Sequence, residues 1–279
     1  VSSSTLTFTA ANWDTAQTIT MTGVDDDLVD GTQTSTITLA VDDANSDDSF
    51  DAASDGTVSV STTDDDTAGF TITQTDGSST VTEGGSTDLF TVVLDKGPLT
   101  DVVITVSSSD TGEATVSSST LTFTAANWDT AQTITMTGVD DDLVDGTQTS
   151  TITLSVVDAI SNDDFDGVAD QTVSVSTTDD DTAGFTITQT DGSSTVTEGG
   201  STDLFTVVLD AQPTSDVVIT VSSSDTGEAT VSSSTLTFTA ANWDTAQTIT
   251  MTGVDDDLVD GTQTSTITLA VEDAVLTRF

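Results

Sequence analysis

An internal repeat without a single substitution places the strongest constraint on the fold. Residues 1–39, VSSSTLTFTAANWDTAQTITMTGVDDDLVDGTQTSTITL, recur unchanged at 116–154 and at 231–269. The period is 115 residues, since 116 − 1 and 231 − 116 both equal 115. Solenoid repeats have periods of roughly 20 to 50 residues. A unit of this length is therefore predicted to fold as a domain of its own rather than as one layer of a stack.

A second repeated segment sets the domain boundaries. GFTITQTDGSSTVTEGGSTDLFTVVLD begins at Gly69 and again at Gly184. The copies differ where residues 96–100 read KGPLT and residues 211–215 read AQPTS, which is typical of a loop. We predict that residues 1–66 are the C-terminal part of a first repeat, that 67–181 are a complete repeat, and that 182–279 are a third repeat lacking its last strand.

The pattern of apolar residues predicts the fold class. Short segments rich in Thr, Val, Ile and Phe alternate with clusters of Gly, Asp and Ser, which indicates strands and turns. Leu121 and Phe123 flank a Thr, as do Ile134 and Met136, so one face of each strand is predicted to be buried. Seven or eight strands in about 100 residues favour an immunoglobulin-like sandwich. We expect an all-β fold of tandem immunoglobulin-like antiparallel β-sandwiches.

The composition excludes several classes of partner and of chemistry. The chain has 48 acidic residues against Lys96 and Arg278, a formal net charge of −46, which argues against nucleic acid and anionic membrane surfaces. No apolar run approaches the roughly 18 residues of a membrane-spanning helix, so no direct membrane insertion is expected. The absence of Cys and His excludes cysteine–histidine zinc sites and catalysis that depends on either residue.

The acidic residues are clustered, and clustered carboxylates need a counter-ion. Two of them 4 Å apart repel by about 1 kcal/mol in bulk water and by roughly 4 kcal/mol at an effective dielectric near 20. The clusters are Glu83 in VTEGG, the loop DDDLVDG that begins at Asp140, and the triplet of residues 179–181. Each follows a predicted strand, and strand ends meet at the poles of a sandwich. Converging carboxylates would suit Ca²⁺, which takes about six to eight oxygen ligands. The alternative is a set of solvated acidic loops, as on a halophile-like surface.

The order of these motifs resembles a known family. VTEGG, TLTF, QTITMTGVDDDLVDGTQTSTITL and VSVSTTDDD follow one another as in the Calx-β domain of sodium/calcium exchangers and giant bacterial surface proteins, and the resemblance spans the whole 115-residue unit. It implies that calcium ligands come from the early Glu, the acidic loop and the closing Asp triplet. The implied ligands are Glu83, Asp140, Asp141, Asp145, Asp179, Asp180 and Asp181 in the second repeat, Glu198, Asp255, Asp256 and Asp260 in the third, and Asp25, Asp26, Asp30, Asp64, Asp65 and Asp66 in the first.

Two departures from the family pattern affect the ligand set. GEATVSSS stands where the family has an Asp-aromatic step before TLTF, which leaves Asp110 or Glu113 as alternative ligands. The acidic loop ends in DGTQ instead of a Glu-rich sequence. A further group of acidic residues is expected to form either a second site or a solvated loop; its members are Asp158, Asp163, Asp164 and Asp166.

These features predict an extracellular, non-enzymatic array, either the spacer stalk of a surface adhesin or the body of a filament, as in a biofilm. Calcium would rigidify its domains. The expected partners are calcium ions, neighbouring repeats of the same chain and, in a filament, identical subunits that add a strand to an incomplete sandwich. The alternatives are a glycan- or protein-binding module, a metal-free acidic spacer, and a carboxylate-pair hydrolase, which would need a desolvated acid in a cleft.

Overall fold

The computed structural model describes residues 1–272, which consist mainly of β-strands and loops. Within them the chain forms twenty strands, numbered β1 to β20 in chain order, and four single-turn 3-10 helices. The strand residues are mainly Thr, Val, Ile, Phe and Ser, and β-branched and aromatic side chains suit a pleated, half-buried surface. The prediction of an all-β fold is confirmed.

The second repeat contains a complete two-layer sandwich. One sheet has the strand order β10-β8-β12-β13-β5 and the other has the order β4-β6-β11-β9. The remaining strand, β7, pairs outside the sandwich. The strands are β4 (Phe70–Gln74), β5 (Ser79–Thr82), β6 (Thr87–Leu94), β7 (Gly97–Pro98), β8 (Val102–Ser108), β9 (Ala114–Val116), β10 (Thr120–Phe123), β11 (Gln132–Gly138), β12 (Gln148–Val156) and β13 (Gln171–Thr178).

The two sheets contain nine strands, more than the seven or eight that the pattern predicts. β5 and β9 have only four and three residues, and the alternating pattern did not reveal β9. They form because longer neighbours pair with them. β9 is antiparallel to β11, whereas β5 runs parallel to β13, the one parallel pairing in this sandwich.

The core lies between the two sheets and follows the predicted alternation. Ile134 and Met136 of β11 are fully buried, as are Ile152 and Leu154 of β12, with Thr residues between them. Each such side chain contributes roughly 1.5–3 kcal/mol on burial. Trp128 packs against the edge of this core, as expected for an aromatic residue that closes one end of a sandwich.

The third repeat forms two smaller sheets, β14-β15-β19-β17 and β18-β16-β20, around a core of its own. Within residues 182–272 no strand corresponds to β5 or β13. An open groove of about 880 Å³ remains there, lined by Phe205, Met251 and Ile267 among others. The strands are β14 (Phe185–Gln189), β15 (Thr202–Leu209), β16 (Val217–Ser223), β17 (Ala229–Val231), β18 (Thr235–Phe238), β19 (Gln247–Gly253) and β20 (Ile267–Val271).

The first repeat contains only β1 (Leu28–Val29), β2 (Gln33–Leu39) and β3 (Gly56–Thr62), of which β2 and β3 form an antiparallel pair. The short β1 pairs in parallel with β7 of the second repeat. The copy of TLTF in the first repeat forms no strand, and its Phe8 is 54% exposed, whereas the equivalent Phe123 is fully buried. The neighbouring strand explains the difference. In the second repeat TLTF pairs with β8, whereas the first repeat has no equivalent of β8 in this chain.

Candidate metal sites at the acidic ends of the sandwiches

The parallel pairing of β5 with β13 brings Glu83 to the Asp triplet. Both strands end on the same side of the sandwich, with Thr82 beside Thr178. The next residue of each strand therefore enters the same region, and the backbone N–H of Glu83 donates to the carbonyl oxygen of Thr178 at 3.0 Å. Two segments almost 100 positions apart in sequence thus meet at one pole, as the sequence predicted.

Asp179 joins the triplet to the acidic loop through the backbone. Its Oδ2 accepts hydrogen bonds from the N–H groups of Asp145 at 3.0 Å and Gly146 at 2.7 Å, and its Oδ1 accepts from the N–H of Asp181 at 2.7 Å. Gly146 has a φ of +74°, which lets the loop turn so that both N–H groups face this carboxylate. These backbone hydrogen bonds lower the pKa of Asp179, so it is a firmly ionised anchor of the site.

Glu83 is the most deeply buried acid of this region. It is only 3% exposed, and its Oε2 has no hydrogen-bond partner. Burial, followed by repulsion from Asp141, Asp179, Glu113 and Asp145, raises its pKa to about 7. A buried ionised carboxylate without a partner is costly, and a bound cation removes that cost.

Glu83, Asp179 and Asp181 each place one carboxylate oxygen within 4.8 Å of the others. Three further carboxylate oxygens in the same region are buried without a hydrogen-bond partner. Oxygen donors in such a group suit a hard cation such as Ca²⁺. The residues present therefore fit this ion. The three further unpartnered atoms are Asp181 Oδ2, Asp145 Oδ1 and Glu113 Oε2.

The remaining predicted ligands of the second repeat lie around this group but are more exposed. A Cβ built on Gly84 would lie 3.2 Å from Asp180 Oδ2 and 3.9 Å from Asp140 Oδ1, so both exposed carboxylates face the VTEGG turn. Asp141 has a local role, because its Oδ1 accepts from the N–H of Leu143 at 2.7 Å and shapes the loop. Asp140, Asp141 and Asp180 are therefore candidate outer ligands rather than members of the buried group.

Glu113 belongs to this region more clearly than its sequence indicated. Its pKa is raised by burial and then by Asp145, Asp141, Asp110 and Asp179. It precedes β9, which the pattern did not reveal. Glu113 recurs in the second copy of TGEATV as Glu228. This recurrence could not identify it as a ligand, because every residue of an unchanged repeat recurs in the same way.

The third repeat has a different group. Glu228, Asp256 and Asp260 place carboxylate oxygens within 4.8 Å of one another. Glu198, the counterpart of Glu83, is exposed and lies outside this group, as does Asp255. Glu228 was not among the predicted ligands, although its counterpart Glu113 was an alternative.

The first repeat keeps the backbone clamp but not the carboxylate group. Asp64 Oδ2 accepts from the N–H groups of Asp30 at 2.9 Å and Gly31 at 2.7 Å, as Asp179 does one period later. Asp66 is paired with Lys96. Of the carboxylate groups found in residues 1–272, none involves Asp25, Asp26, Asp30 or the triplet of residues 64–66.

The other acidic cluster flanks two 3-10 turns, Asp158–Ile160 and Asp163–Phe165. Burial and then repulsion from its neighbours raise the pKa of Asp166. In the described part of the chain this cluster forms no carboxylate group of the kind seen around Glu83. The structure therefore adds no argument for a second site there.

Comparisons with known proteins give distant structural similarities. No family model matches the sequence, and no curated protein matches it. The chain is similar to the apo-form Calx CBD1 domain (19% identity, 40% of this chain and 98% of that one, TM-score 0.30) and to CBD12 from CALX1.2 (16%, 64% and 73%, 0.31). It is also similar to domains 5-6 of the S-layer protein SbsC (21%, 66% and 83%, 0.26). At these TM-scores the similarities support no conclusion about function. The function is therefore inferred from the acidic sites.

Among residues 1–272 there is no helix of the length and apolarity needed to cross a bilayer.

Proposed function

We propose that this chain is part of an extracellular structural array whose β-sandwich repeats bind Ca²⁺ at their acidic poles and are stiffened by it. The observation that carries the proposal is Glu83, a nearly buried carboxylate whose Oε2 has no partner and which faces Asp179 and Asp181. The resemblance of the motif order to Calx-β domains supports the same ion.

The kind of site supports an extracellular location. The buried group supplies three carboxylates, and the exposed Asp140 and Asp180 are available beside it. Open sites of this kind in extracellular modules bind Ca²⁺ with dissociation constants of roughly 10⁻⁴–10⁻³ M. An extracellular array, whether the stalk of an adhesin or the body of a filament, would meet the ion at a comparable concentration.

Stiffening follows from the elements that the ion would join. Glu83 follows β5, the triplet follows β13, and Asp145 belongs to the loop before β12. A cation shared by these carboxylates would hold three elements together that otherwise repel one another. Because the ion binds only the folded repeat, it stabilises that repeat by about 2.7 kcal/mol at a concentration 100 times its dissociation constant. The role is therefore structural rather than enzymatic, and hydrolysis of any member of a glycan panel would contradict it.

The test compares two glutamates in identical VTEGG motifs. Calcium is titrated into the full chain and into Glu83→Gln and Glu198→Gln variants by isothermal titration calorimetry, with magnesium as a control ion. We expect Glu83→Gln to weaken the tightest calcium site about tenfold, a loss of about 1.4 kcal/mol. Glu198→Gln should change that site less than twofold, because Glu198 is exposed and lies outside the carboxylate groups. If the unmodified chain binds no calcium, the proposal is wrong and the chain is a metal-free acidic spacer.

The open groove of the third repeat supports a second candidate, a filament assembled by strand addition. In the second repeat the corresponding place is filled by β13. In the third, a strand could come from further residues of a longer protein or from an identical subunit. The intact mass of the native protein separates the two, since a mass far above that of this chain removes the filament of short subunits.

A further inference from the structure

The two junctions between repeats are built from the same elements, but their variable loops differ at four of five positions, KGPLT at 96–100 against AQPTS at 211–215. At the first junction the N–H of Gly97 donates to the carbonyl oxygen of Asp27 at 2.7 Å, and at the second the N–H of Gln212 donates to that of Asp142 at 2.6 Å. In each case the acidic loop of one repeat contacts the variable loop of the next. The residue before this contact is Lys96 at the first junction and Ala211 at the second.

Lys96 links the two clusters of the first repeat to the second repeat. Its Nζ lies 2.7 Å from Asp27 Oδ1 in the acidic loop and 2.6 Å from Asp66 Oδ1 in the triplet. The side chain of Asp66 is only 8% exposed, so the ammonium group neutralises a nearly buried carboxylate. The hydrogen bonds to both Asp residues raise the pKa of Lys96, which keeps it charged.

The second junction has the same carboxylates without the ammonium group. Asp181 is the counterpart of Asp66, and its Oδ2 is buried without a hydrogen-bond partner. Burial, followed by repulsion from neighbours that include Asp142, the counterpart of Asp27, raises the pKa of Asp181. Asp181 also belongs to the group of the nearly buried Glu83, whose Oε2 is unpartnered as well. The place that Lys96 fills at one junction is therefore a site of uncompensated negative charge at the other.

The first junction is also the more closely packed of the two. Leu28 and Val29 form a two-residue parallel pairing with Gly97 and Pro98, and Val29 is buried against the core of the second repeat. At the second junction a single bridge joins Leu143 to Gln212. Part of the closer contact comes from Gly97 rather than from charge, because a Cβ at this position would lie 2.9 Å from Leu28 Cδ2, and the counterpart Gln212 has one.

We propose that Lys96 is a built-in counter-ion that fixes the first junction without metal, whereas the second junction, with Ala211 in its place, becomes equally rigid only when a divalent cation binds at Asp181 and Asp142. The part that concerns the cation rests on the proposed function; the part that concerns Lys96 does not. The array would then contain one permanent joint and one that responds to the concentration of the ion.

The test uses the full chain, which has no cysteine, so that pairs of cysteines can be introduced for nitroxide labels. Ser59 with Ser119 spans the first junction and Ser174 with Ser234 spans the second. All four residues are exposed, and the second pair lies one 115-residue period after the first. In chelator we expect electron–electron double resonance to give a narrow distance distribution for the first pair and a broad one for the second. Lys96→Met should broaden the first, and Ala211→Lys should narrow the second.

Calcium supplies the second arm of the experiment. Calcium should narrow the distance distribution of the second pair in the unmodified chain and that of the first pair in Lys96→Met. It should leave unchanged the distribution of the first pair in the chain with Lys96 and that of the second pair in Ala211→Lys. Equal widths at both junctions in chelator, or no effect of Lys96→Met, would overturn the role of Lys96. If calorimetry shows calcium binding but the second pair does not narrow, the cation-dependent joint is wrong while the proposed function stands. If no calcium binds, the proposed function and the joint both fail, and the role of Lys96 is judged by the chelator arm alone.

Discussion

The second and third repeats contain the same VTEGG motif and the same DDDLVDG loop, yet their glutamates have different environments. Glu83 is nearly buried and its pKa is raised to about 7, whereas Glu198 is exposed. The difference comes from β13. This strand pairs with β5 and places Thr178 beside the motif, and the third repeat has no described equivalent of either strand. Burial of the glutamate is therefore a property of strand pairing, and a local sequence identical in both repeats does not specify it.

The largest expected effect concerns a glycine under each VTEGG motif. A Cβ on Gly138 would overlap the carbonyl oxygen of Thr82, and one on Gly253 would overlap that of Thr197. Thr82 is held in β5, whereas Thr197 lies outside any strand and can shift. We expect Gly138→Ala to cost about 3 kcal/mol and Gly253→Ala about 1 kcal/mol, as overpacking in rigid and yielding surroundings does.

The measurement is urea unfolding of chains that keep a single tryptophan. Trp128 packs against the core of the second repeat and Trp243 against that of the third, so each reports on its own repeat. Equal costs for the two substitutions would show that the pairing of β5 does not make the VTEGG segment more rigid.

The second prediction concerns pH in the absence of metal. The pKa of Glu83 is raised from about 4.5 to about 7 in the folded state, so the folded state binds protons more tightly than the unfolded state does. The resulting contribution to the stability of the second repeat is fully present below pH 4.5 and is lost as the pH rises through about 7. Between pH 5 and pH 7 the second repeat should lose about 2 kcal/mol. The lowered pKa of Asp179 acts in the opposite direction, but only at more acidic pH.

Thermal unfolding in chelator, followed through Trp128, checks this prediction. Glu83→Gln should remove most of the decline in melting temperature across that range, and Glu198→Gln should leave it unchanged. If the melting temperature of Glu83→Gln still declines across this pH range, the decline comes from other carboxylates. Calcium should also suppress the decline, because it favours the ionised form.

The third prediction separates the backbone clamp from metal binding. Asp179 accepts three backbone hydrogen bonds, whereas its neighbour Asp180 is exposed. In chelator we expect Asp179→Ala to lower the melting temperature of the second repeat by several degrees and Asp180→Ala to leave it nearly unchanged. Similar behaviour of the two variants, measured by thermal unfolding through Trp128, would mean that the clamp adds no stability beyond that of a solvated aspartate.

The smallest expected effect concerns the apolar pair inside the acidic loop. Val29 is 8% exposed against the second repeat, whereas the equivalent Val259 of the third repeat is fully exposed. Val29→Ala should destabilise the second repeat by about 1 kcal/mol, the usual cost of removing part of a buried aliphatic side chain. Val259→Ala should have no measurable effect on the third. Urea unfolding through Trp128 and Trp243 measures both, and a loss at Val259 would show that its loop has contacts of its own.

Much of the candidate site could be predicted from the sequence, because its parts follow strands that the alternating pattern identifies. The convergence of Glu83 with Asp179 and Asp181 is one example. The pattern did not reveal which acids are buried and which shape the loops. Asp141 and Asp179 appear as similar members of acidic runs, but one orders a turn while the other accepts three backbone hydrogen bonds. Glu113 became a member of the region only through β9, a strand of three residues.

The three copies of residues 1–39 show where the sequence by itself determined the protein. Repetition, apolar alternation and acidic clustering depend only on the order of residues, and they specified an all-β chain of 115-residue units with carboxylates at strand ends. Tertiary structure decided whether each copy realises that pattern. TLTF is a strand where β8 or β16 lies beside it and is a loop in the first repeat. Glu83 is buried beside the paired ends of β5 and β13, whereas Glu198, without a described equivalent of these strands, is exposed. A β-strand completes its hydrogen bonds and its buried face through neighbours that are distant in sequence, so an identical sequence acquires different structures where those neighbours differ.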